Sequence, residues 1–285
     1  IYDEIITARA IFLKGGDQYQ YIDLWKGTLT EDAINQVFLN GGVIAGTSAG
    51  AAVLGDLDFS AENGTAYPRQ ALLNPFNNYI KFEDNFLNLI PDVLFDTHFI
   101  ERGRFGRLIP MIFNAKINLA KDVTGVGIDD ATAICISPDG IGTVKGSGAV
   151  SVFYSDSRTK FINNSDGYII ENLKCDQLTA GWSFDFSEKK ISGIPSSAKE
   201  IDSSQFIDYP ETDIWLTGNS DINSQQNATV FSFLTEFNSE KIVIISHPGF
   251  SNNLNSLYSF LNSNGYTYNS IILQQDLLDD NSASE

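Results

Sequence analysis

The pentapeptide Gly46-Thr47-Ser48-Ala49-Gly50 follows the apolar run Val43-Ile44-Ala45 and opens into Ala51-Ala52-Val53-Leu54. A chain written in this order has one local path open to it: a strand, a tight turn with a serine at its tip, then the start of a helix. The path lifts one hydroxyl above a sheet and sets it beside backbone N–H groups that lack intrahelical partners. Ser48 can attack a carbonyl from that position if a base lies within reach.

The surroundings extend the same pattern. Ala8 to Leu13 reads as a buried strand ending at Gly15-Gly16-Asp17-Gln18. Thr30 to Leu39 carries apolar residues at helical spacing, with Thr30 as the expected N-cap and Gly41-Gly42 as the stop. Strand, helix and the Val43 strand make a βαβ unit, hence a parallel sheet covered on both faces. Asp92 to His98 is a short strand, Arg107 to Ala115 a helix despite Pro110, and Gly125 to Ile136 a strand, turn and strand. The alternating stretches Val144–Tyr154 and Tyr168–Leu178 read as antiparallel additions at a sheet edge. A Ser- and Asp-rich linker runs from about Gly193 to Tyr209. Beyond it come a strand over Asp213–Gly218, a helix around Thr229–Leu234, a β-branched strand over Lys241–His247, a helix over Leu254–Leu261 and a strand over Ser270–Leu273. The expected fold is α/β: a doubly wound, mostly parallel sheet with extra antiparallel strands.

Composition removes several functions. The chain has 285 residues, 42% of them hydrophobic, which is enough for a buried core. A net charge of -18 argues against nucleic acid as a partner, because phosphate binding needs clustered Lys and Arg. An acidic surface suits solubility, or a cationic substrate. No apolar run is long enough to span a bilayer. No signal peptide begins at Ile1, and a mature secreted form would lack one too, so the compartment stays open. The two cysteines form no C-x-x-C pair, so a zinc site is not expected. Cys135 lies in an apolar strand and reads as core, and a disulfide to Cys175 is not indicated. No metal and no cofactor are called for.

Ser48 needs a base, and the chain holds only two histidines. His98 ends a strand, and strand C-termini converge on the ligand crevice of an open parallel sheet. His247 also ends a strand. Ser48, an acid and a late His247 would match the order of an α/β-hydrolase. A binding protein that keeps a pocket without the chemistry is the other alternative.

Four motifs in order carry a resemblance. They are Gly15-Gly16-Asp17-Gln18, the Ser48 turn, the segment from Asp96-Thr97-His98-Phe99 through Arg102, Arg104 and Arg107 to Leu108, and Gly127-Ile128-Asp129-Asp130. Together they resemble the cyanophycinase branch of the serine peptidases related to dipeptidase E. The resemblance implies the flavodoxin-like fold of class I glutamine amidotransferases, with Ser48 as nucleophile and His98 as base. The family places a glutamate where Asp130 stands, so Asp130 or its neighbour Asp129 would orient the imidazole. The N–H of Ala49, and by resemblance that of Gly16, would form the oxyanion hole. Gln18, Asp96, Thr97, Arg102, Arg104 and Arg107 match substrate-pocket positions, with Thr97 replacing the family's usual glutamine.

The implied substrate is an aspartyl peptide, most specifically cyanophycin, a polyaspartate carrying arginine on its β-carboxyls. Arginines suit its carboxylates and Asp96 a cationic group. At least one arginine of the three would face the back of its helix and make only a structural ion pair. Family members also pair as homodimers, with no interface indicated here. The order of elements departs from the family, whose opening strand, helix and strand look like residues 213–273. The expectation is a circularly permuted single domain: 1–192 as the family's middle and C-terminal part, 193–209 as linker, 210–285 as its N-terminal part. Ile1 and Glu285 would then be neighbours.

Overall fold

The computed structural model describes residues 1–165, 167–199, 242–246, 259, 262–263 and 268–272. The chain divides into two units, Ile1–Glu200 and Ile201–Glu285, and each is described by itself.

The first unit begins with α1 (Tyr2–Ile5), β1 (Ala10–Leu13), α2 (Gln18–Trp25), α3 (Leu29–Leu39) and β2 (Val43–Gly46). β1 and β2 pair in parallel, from Ala10 opposite Val43 to Leu13 opposite Gly46. The helices between them supply the crossover that a parallel pair requires. α3 starts earlier than its apolar spacing predicts. Thr28, not Thr30, caps it, with its side-chain oxygen accepting from Thr30 N–H at 3.2 Å. Of β1 only Leu13 is buried, while Phe12 and Val43 are exposed.

Next come α4 (Ala49–Ala52), β3 (Asp58–Phe59), α5 (Pro68–Leu73), β4 (Phe82–Glu83), β5 (Val93–Thr97), α6 (Phe105–Asn118) and β6 (Thr124–Ile128). β5 and β6 pair in parallel across α6, which buries Leu108, Met111, Ile112 and Ala115 against Leu57, Phe59, Leu94 and Phe153. After β6 the chain returns by hairpins through β7 (Thr132–Ile136), β8 (Ile141–Gly146), β9 (Val150–Tyr154), β10 (Lys160–Asn164), β11 (Gly167–Glu171), β12 (Lys174–Leu178), β13 (Ser183–Asp185) and β14 (Lys190–Gly193). β9 and β12 extend the β5–β6 sheet in the order β12-β9-β6-β5. β7, β8, β13 and β14 form a separate antiparallel sheet in the order β14-β13-β8-β7. β9 and β12 are thus the antiparallel edge additions expected, while β8 belongs to the separate sheet and β11 pairs with β10 alone. Positive φ at Ala131 (53°) and Gly146 (109°) turns the chain sharply where it enters and leaves the β7–β8 hairpin, side by side at its open end. Among the described residues antiparallel pairings outnumber parallel ones, in contrast to the expected mostly parallel sheet.

Cys135 is exposed rather than core. β7 turns Ile134 and Ile136 toward Val144 and Phe184, and strand alternation puts Cys135 on the opposite face. Both cysteines are free.

In the second unit β15 (Ile242–Ser246) and β16 (Tyr268–Ile272) pair in parallel, Ile242 opposite Tyr268. The strand expected over 213–218, the helix around 229–234, His247 and Glu285 lie outside the described residues. The architecture is α/β. Among the described residues no helix is long and apolar enough to cross a membrane.

One buried group affects stability. Asp58 pairs across β3–β4 with Glu83, is 1% exposed, and leaves Oδ1 without a hydrogen bond. Burial first, and the charge of Glu83 second, push its carboxyl well above the ordinary range. The folded state thus favours the protonated form. The stability linked to that proton is fully present below the unfolded-state pKa and is lost as pH rises through the folded-state value. Asp58→Asn is neutral at every pH. It will stabilise the protein by on the order of 1 kcal/mol near pH 8 and by little near pH 4, as read by urea unfolding at both. An equal gain at the two pH values would show that ionisation is not the cause.

Candidate active site

The turn after β2 is held by backbone contacts that leave no room for side chains. Thr47 N–H donates to Leu13 O at 3.0 Å, which binds the turn to the end of β1. A Cβ on Gly46 would lie 2.1 Å from Gly50 O, and one on Gly50 would lie 2.3 Å from Leu13 O. Ser48 sits between them at φ 52° and ψ -121°. A non-glycine residue pays about 1–3 kcal/mol for such a conformation, so the surrounding contacts must hold it. α4 is a single turn. The donors at its start therefore act as individual N–H groups, with little macrodipole behind them.

His98 leaves the end of β5, again at positive φ (50°). Phe99 N–H donates to Ile128 O at 3.1 Å, and the fully buried Phe99 ring lies against Gly127, where a Cβ would come within 2.4 Å of it. The two motifs are therefore fitted to each other: the ring that anchors His98 needs the missing side chain of Gly127.

The result is a short relay. Ser48 Oγ lies 2.8 Å from His98 Nε2, and His98 Nδ1 lies 2.5 Å from Asp130 Oδ1. A proton on Nδ1 donates to the carboxylate and leaves Nε2 free to accept from the serine. Asp129 does not take this part. It is buried, with Oδ1 accepting from Ile100 N–H (3.2 Å) and Oδ2 from Ala149 N–H (3.0 Å). Asp130 is the half-exposed neighbour that faces the imidazole.

Ser48 opens onto a cleft of about 170 Å³. Gly16 and Ala49 line it, and the N–H of neither donates to another group among the described residues. Gln18, Asp96, Thr97, Arg102, Arg104 and Arg107 line it as well. Their roles differ from what the motif implies. Asp96 is buried, and both of its oxygens are occupied. Arg107 binds it in a fork, Nε to Oδ2 at 2.7 Å and Nη2 to Oδ1 at 2.6 Å, and Arg104 Nη1 adds a bond to Oδ1 at 3.0 Å. Asp96 is therefore not a free acceptor for a cationic substrate group, which corrects the expectation.

Arg107 is only 3% exposed. Its remaining Nη1 donates to Thr65 Oγ1 (3.0 Å) and Ala66 O (3.4 Å), and its guanidinium stands over the Phe59 ring. It holds one cleft wall, with four of its five N–H groups given to the protein. Arg104 also reaches Thr97 O at 2.5 Å, and burial lowers its pKa to about 10 against the opposing pull of Asp96, so it stays charged at neutral pH. Arg102 is exposed at the cleft, and its guanidinium has no hydrogen-bond or ion-pair partner among the described residues. Gln18 donates from Nε2 to Phe59 O at 3.3 Å, and Thr97 is buried with its N–H on Asp96 Oδ1.

Sequence reading missed the opposite wall. Phe59, Ala61 and Thr65 complete the cleft. Phe59 ends the two-residue strand β3 and the other two follow it in irregular chain, with no motif to mark them beyond the ring beneath Arg107. It also gave no part to Glu101, whose Oε1 accepts from Asp130 N–H at 2.9 Å. Among the described residues no three His, Cys, Asp or Glu side chains gather as a metal site.

Comparison with known proteins bears on the same region. A cyanophycinase of Synechococcus elongatus is 35% identical over 143 residues, covering 50% of this chain and 40% of that protein. One of Geminocystis herdmanii is 33% identical over 153 residues, 53% of this chain and 52% of that one. One of Trichormus variabilis is 28% identical over 186 residues, 64% and 58%. The chain spans about half the length of the curated relatives it matches. Among solved structures, a peptidase from an acI-B1 Actinobacterium matches at 23% identity and a TM-score of 0.44, over 65% of this chain and 62% of that one. The model of peptidase family S51 matches residues 1–144, the stretch that contains Ser48, His98 and Asp130, and on that match over half its length the chain belongs to peptidase family S51.

Proposed function

We propose that the protein is a serine peptidase that cleaves aspartyl peptides, with a cyanophycin-like polymer of β-linked Asp-Arg units as its substrate and the dipeptide as product. The observation that carries this is the relay itself: Ser48 Oγ at 2.8 Å from His98 Nε2, with Nδ1 held by Asp130. The membership in family S51 and the cyanophycinase names of the relatives support the substrate class.

In the proposed reaction Ser48 Oγ bonds to the scissile carbonyl carbon while its proton passes to His98 Nε2. Asp130 stabilises the imidazolium through Nδ1–H. The N–H groups of Gly16 and Ala49 receive the charge that develops on the carbonyl oxygen. Collapse breaks the C–N bond, and the departing amine takes the proton from His98. Water then gives a proton to His98 and attacks the acyl-Ser48 ester; as the acid leaves, Ser48 Oγ takes that proton back from His98. Arg102, unpaired at the cleft, is the group that can bind a substrate carboxylate.

The test is release of dipeptide from β-Asp-Arg polymer, with Ser48→Ala as control. Release by the native protein and none by the variant is the expected result. If no aspartyl peptide is hydrolysed in a Ser48-dependent way, the assignment is wrong.

The proposal extends to architecture. On this reading the chain is a circular permutation of a doubly wound family domain, with residues 210–285 corresponding in sequence to the part that opens other family members. Cleavage within 193–209 should then give two fragments that stay together on a sizing column. Fragments that separate would refute this chain order.

A further inference from the structure

The third member of the relay is the weakest-placed by sequence. Asp130 is one methylene shorter than the glutamate implied at its position, and its side chain is 54% exposed. An exposed carboxylate on a turn ordinarily samples several rotamers, which would loosen the bond to His98. Three bonds lace its turn to the segment after His98. Phe99 N–H donates to Ile128 O (3.1 Å), Ile100 N–H to Asp129 Oδ1 (3.2 Å), and Asp130 N–H to Glu101 Oε1 (2.9 Å). Asp129 is itself fixed, because its N–H and its Oδ2 both bond to Ala149. The first two bonds thus fix the turn up to Asp129. Of the three, only the last acts on the backbone of Asp130, at its N–H; its carbonyl oxygen accepts from Thr132 Oγ1 at 3.1 Å on the far side of the residue.

Glu101 reaches Asp130 from the side of the histidine, three residues after His98 in the chain. We infer that Glu101 is a positioning residue: its carboxylate holds the Asp130 backbone so that an aspartate can stay bonded to His98 Nδ1. The inference rests on the proposed relay, and Glu101 itself touches neither substrate nor Ser48.

Glu101→Ala removes the acceptor, Glu101→Gln keeps one, and Asp130→Glu supplies a longer side chain that has less need of the strut. On β-Asp-Arg polymer, Glu101→Ala should lower kcat by about 10- to 100-fold with KM little changed, since misplacement by an ångström costs that much. Glu101→Gln should recover most of the loss. Adding Asp130→Glu to Glu101→Ala should also recover part of it.

A second readout needs no substrate. The chain has only two histidines, so the Nδ1 proton of His98 can be followed by NMR in protein labelled at histidine. That proton should lie far downfield in the native protein and in Glu101→Gln, and should move upfield or exchange away in Glu101→Ala at unchanged unfolding midpoint. If the polymer is not hydrolysed at all, the functional reading fails while the NMR result still decides the strut. An unmoved resonance in Glu101→Ala, or equal losses for the alanine and glutamine variants, would overturn it.

Discussion

His98→Ala will lower kcat on an aspartyl peptide by about 10⁴-fold or more, as loss of the base does in other serine hydrolases. The distance of 2.8 Å from Ser48 Oγ to His98 Nε2 is already that of a working hydrogen bond, and no other described imidazole reaches the serine. Without it the serine proton has no acceptor, and an un-ionised hydroxyl is a poor nucleophile. Because the two residues act as one unit, Ser48→Ala combined with His98→Ala should be no slower than either alone. The residual rate of all three variants should reflect the oxyanion donors of Gly16 and Ala49 and substrate binding. KM should change little, because neither side chain is the charged group assigned to bind a substrate carboxylate, Arg102. The comparison with His247→Ala is decisive, since that residue is the base in the competing α/β-hydrolase order. Steady-state kinetics of the four variants measure this. Loss of turnover in His247→Ala with activity retained in His98→Ala would reverse the assignment of the base.

The parts of this site that sequence made legible are those dictated by backbone geometry. A glycine at 46 and at 50 is required because a Cβ at either would strike main-chain oxygen, so the turn can be read from five letters. Gly127 is legible for a similar reason, as the seat of the Phe99 ring. Side-chain roles are less legible where two like residues compete. Asp129 and Asp130 differ in sequence only by one step, yet a strand end turns the first into the interior against Ala149 and the second toward His98. The arginines show the same limit. Arg104 and Arg107 stand three apart at the start of α6 and converge on Asp96, whereas Arg102 lies in the preceding turn and points to the cleft. Helical spacing carries that information, but only if the helix start is known, and expectation placed it two residues late at Arg107. The alternating strands after β6 could be recognised one by one. Their division among three sheets could not, because it depends on sharp turns such as those at Ala131 and Gly146 and not on any local preference of the strands themselves.

Asp96→Ala will destabilise the protein by about 3–5 kcal/mol, the cost typical of leaving a buried charge without its partner. The substitution strips the fork from Arg107, which is 3% exposed, and one bond from Arg104, and leaves two guanidinium groups facing each other across the vacated space. Arg107→Met should cost less, about 1–3 kcal/mol. It leaves Asp96 still paired with Arg104, and the methionine fills part of the volume over Phe59. The asymmetry follows from the wiring: one carboxylate serves two cations, so removing it strips charge pairing from both, while removing Arg107 leaves Asp96 its Oδ1 bonds to Arg104 and to Thr97 N–H and only Oδ2 without a partner. Activity should fall in both variants even where the fold survives, because Arg107 anchors the cleft wall at Thr65 and Ala66 to the strand that carries His98. Urea unfolding ranks the two. A larger loss in Arg107→Met than in Asp96→Ala would mean that the guanidinium stabilises mainly through its stack on Phe59 and its hold on the wall, and that the shared carboxylate is not the centre of this network.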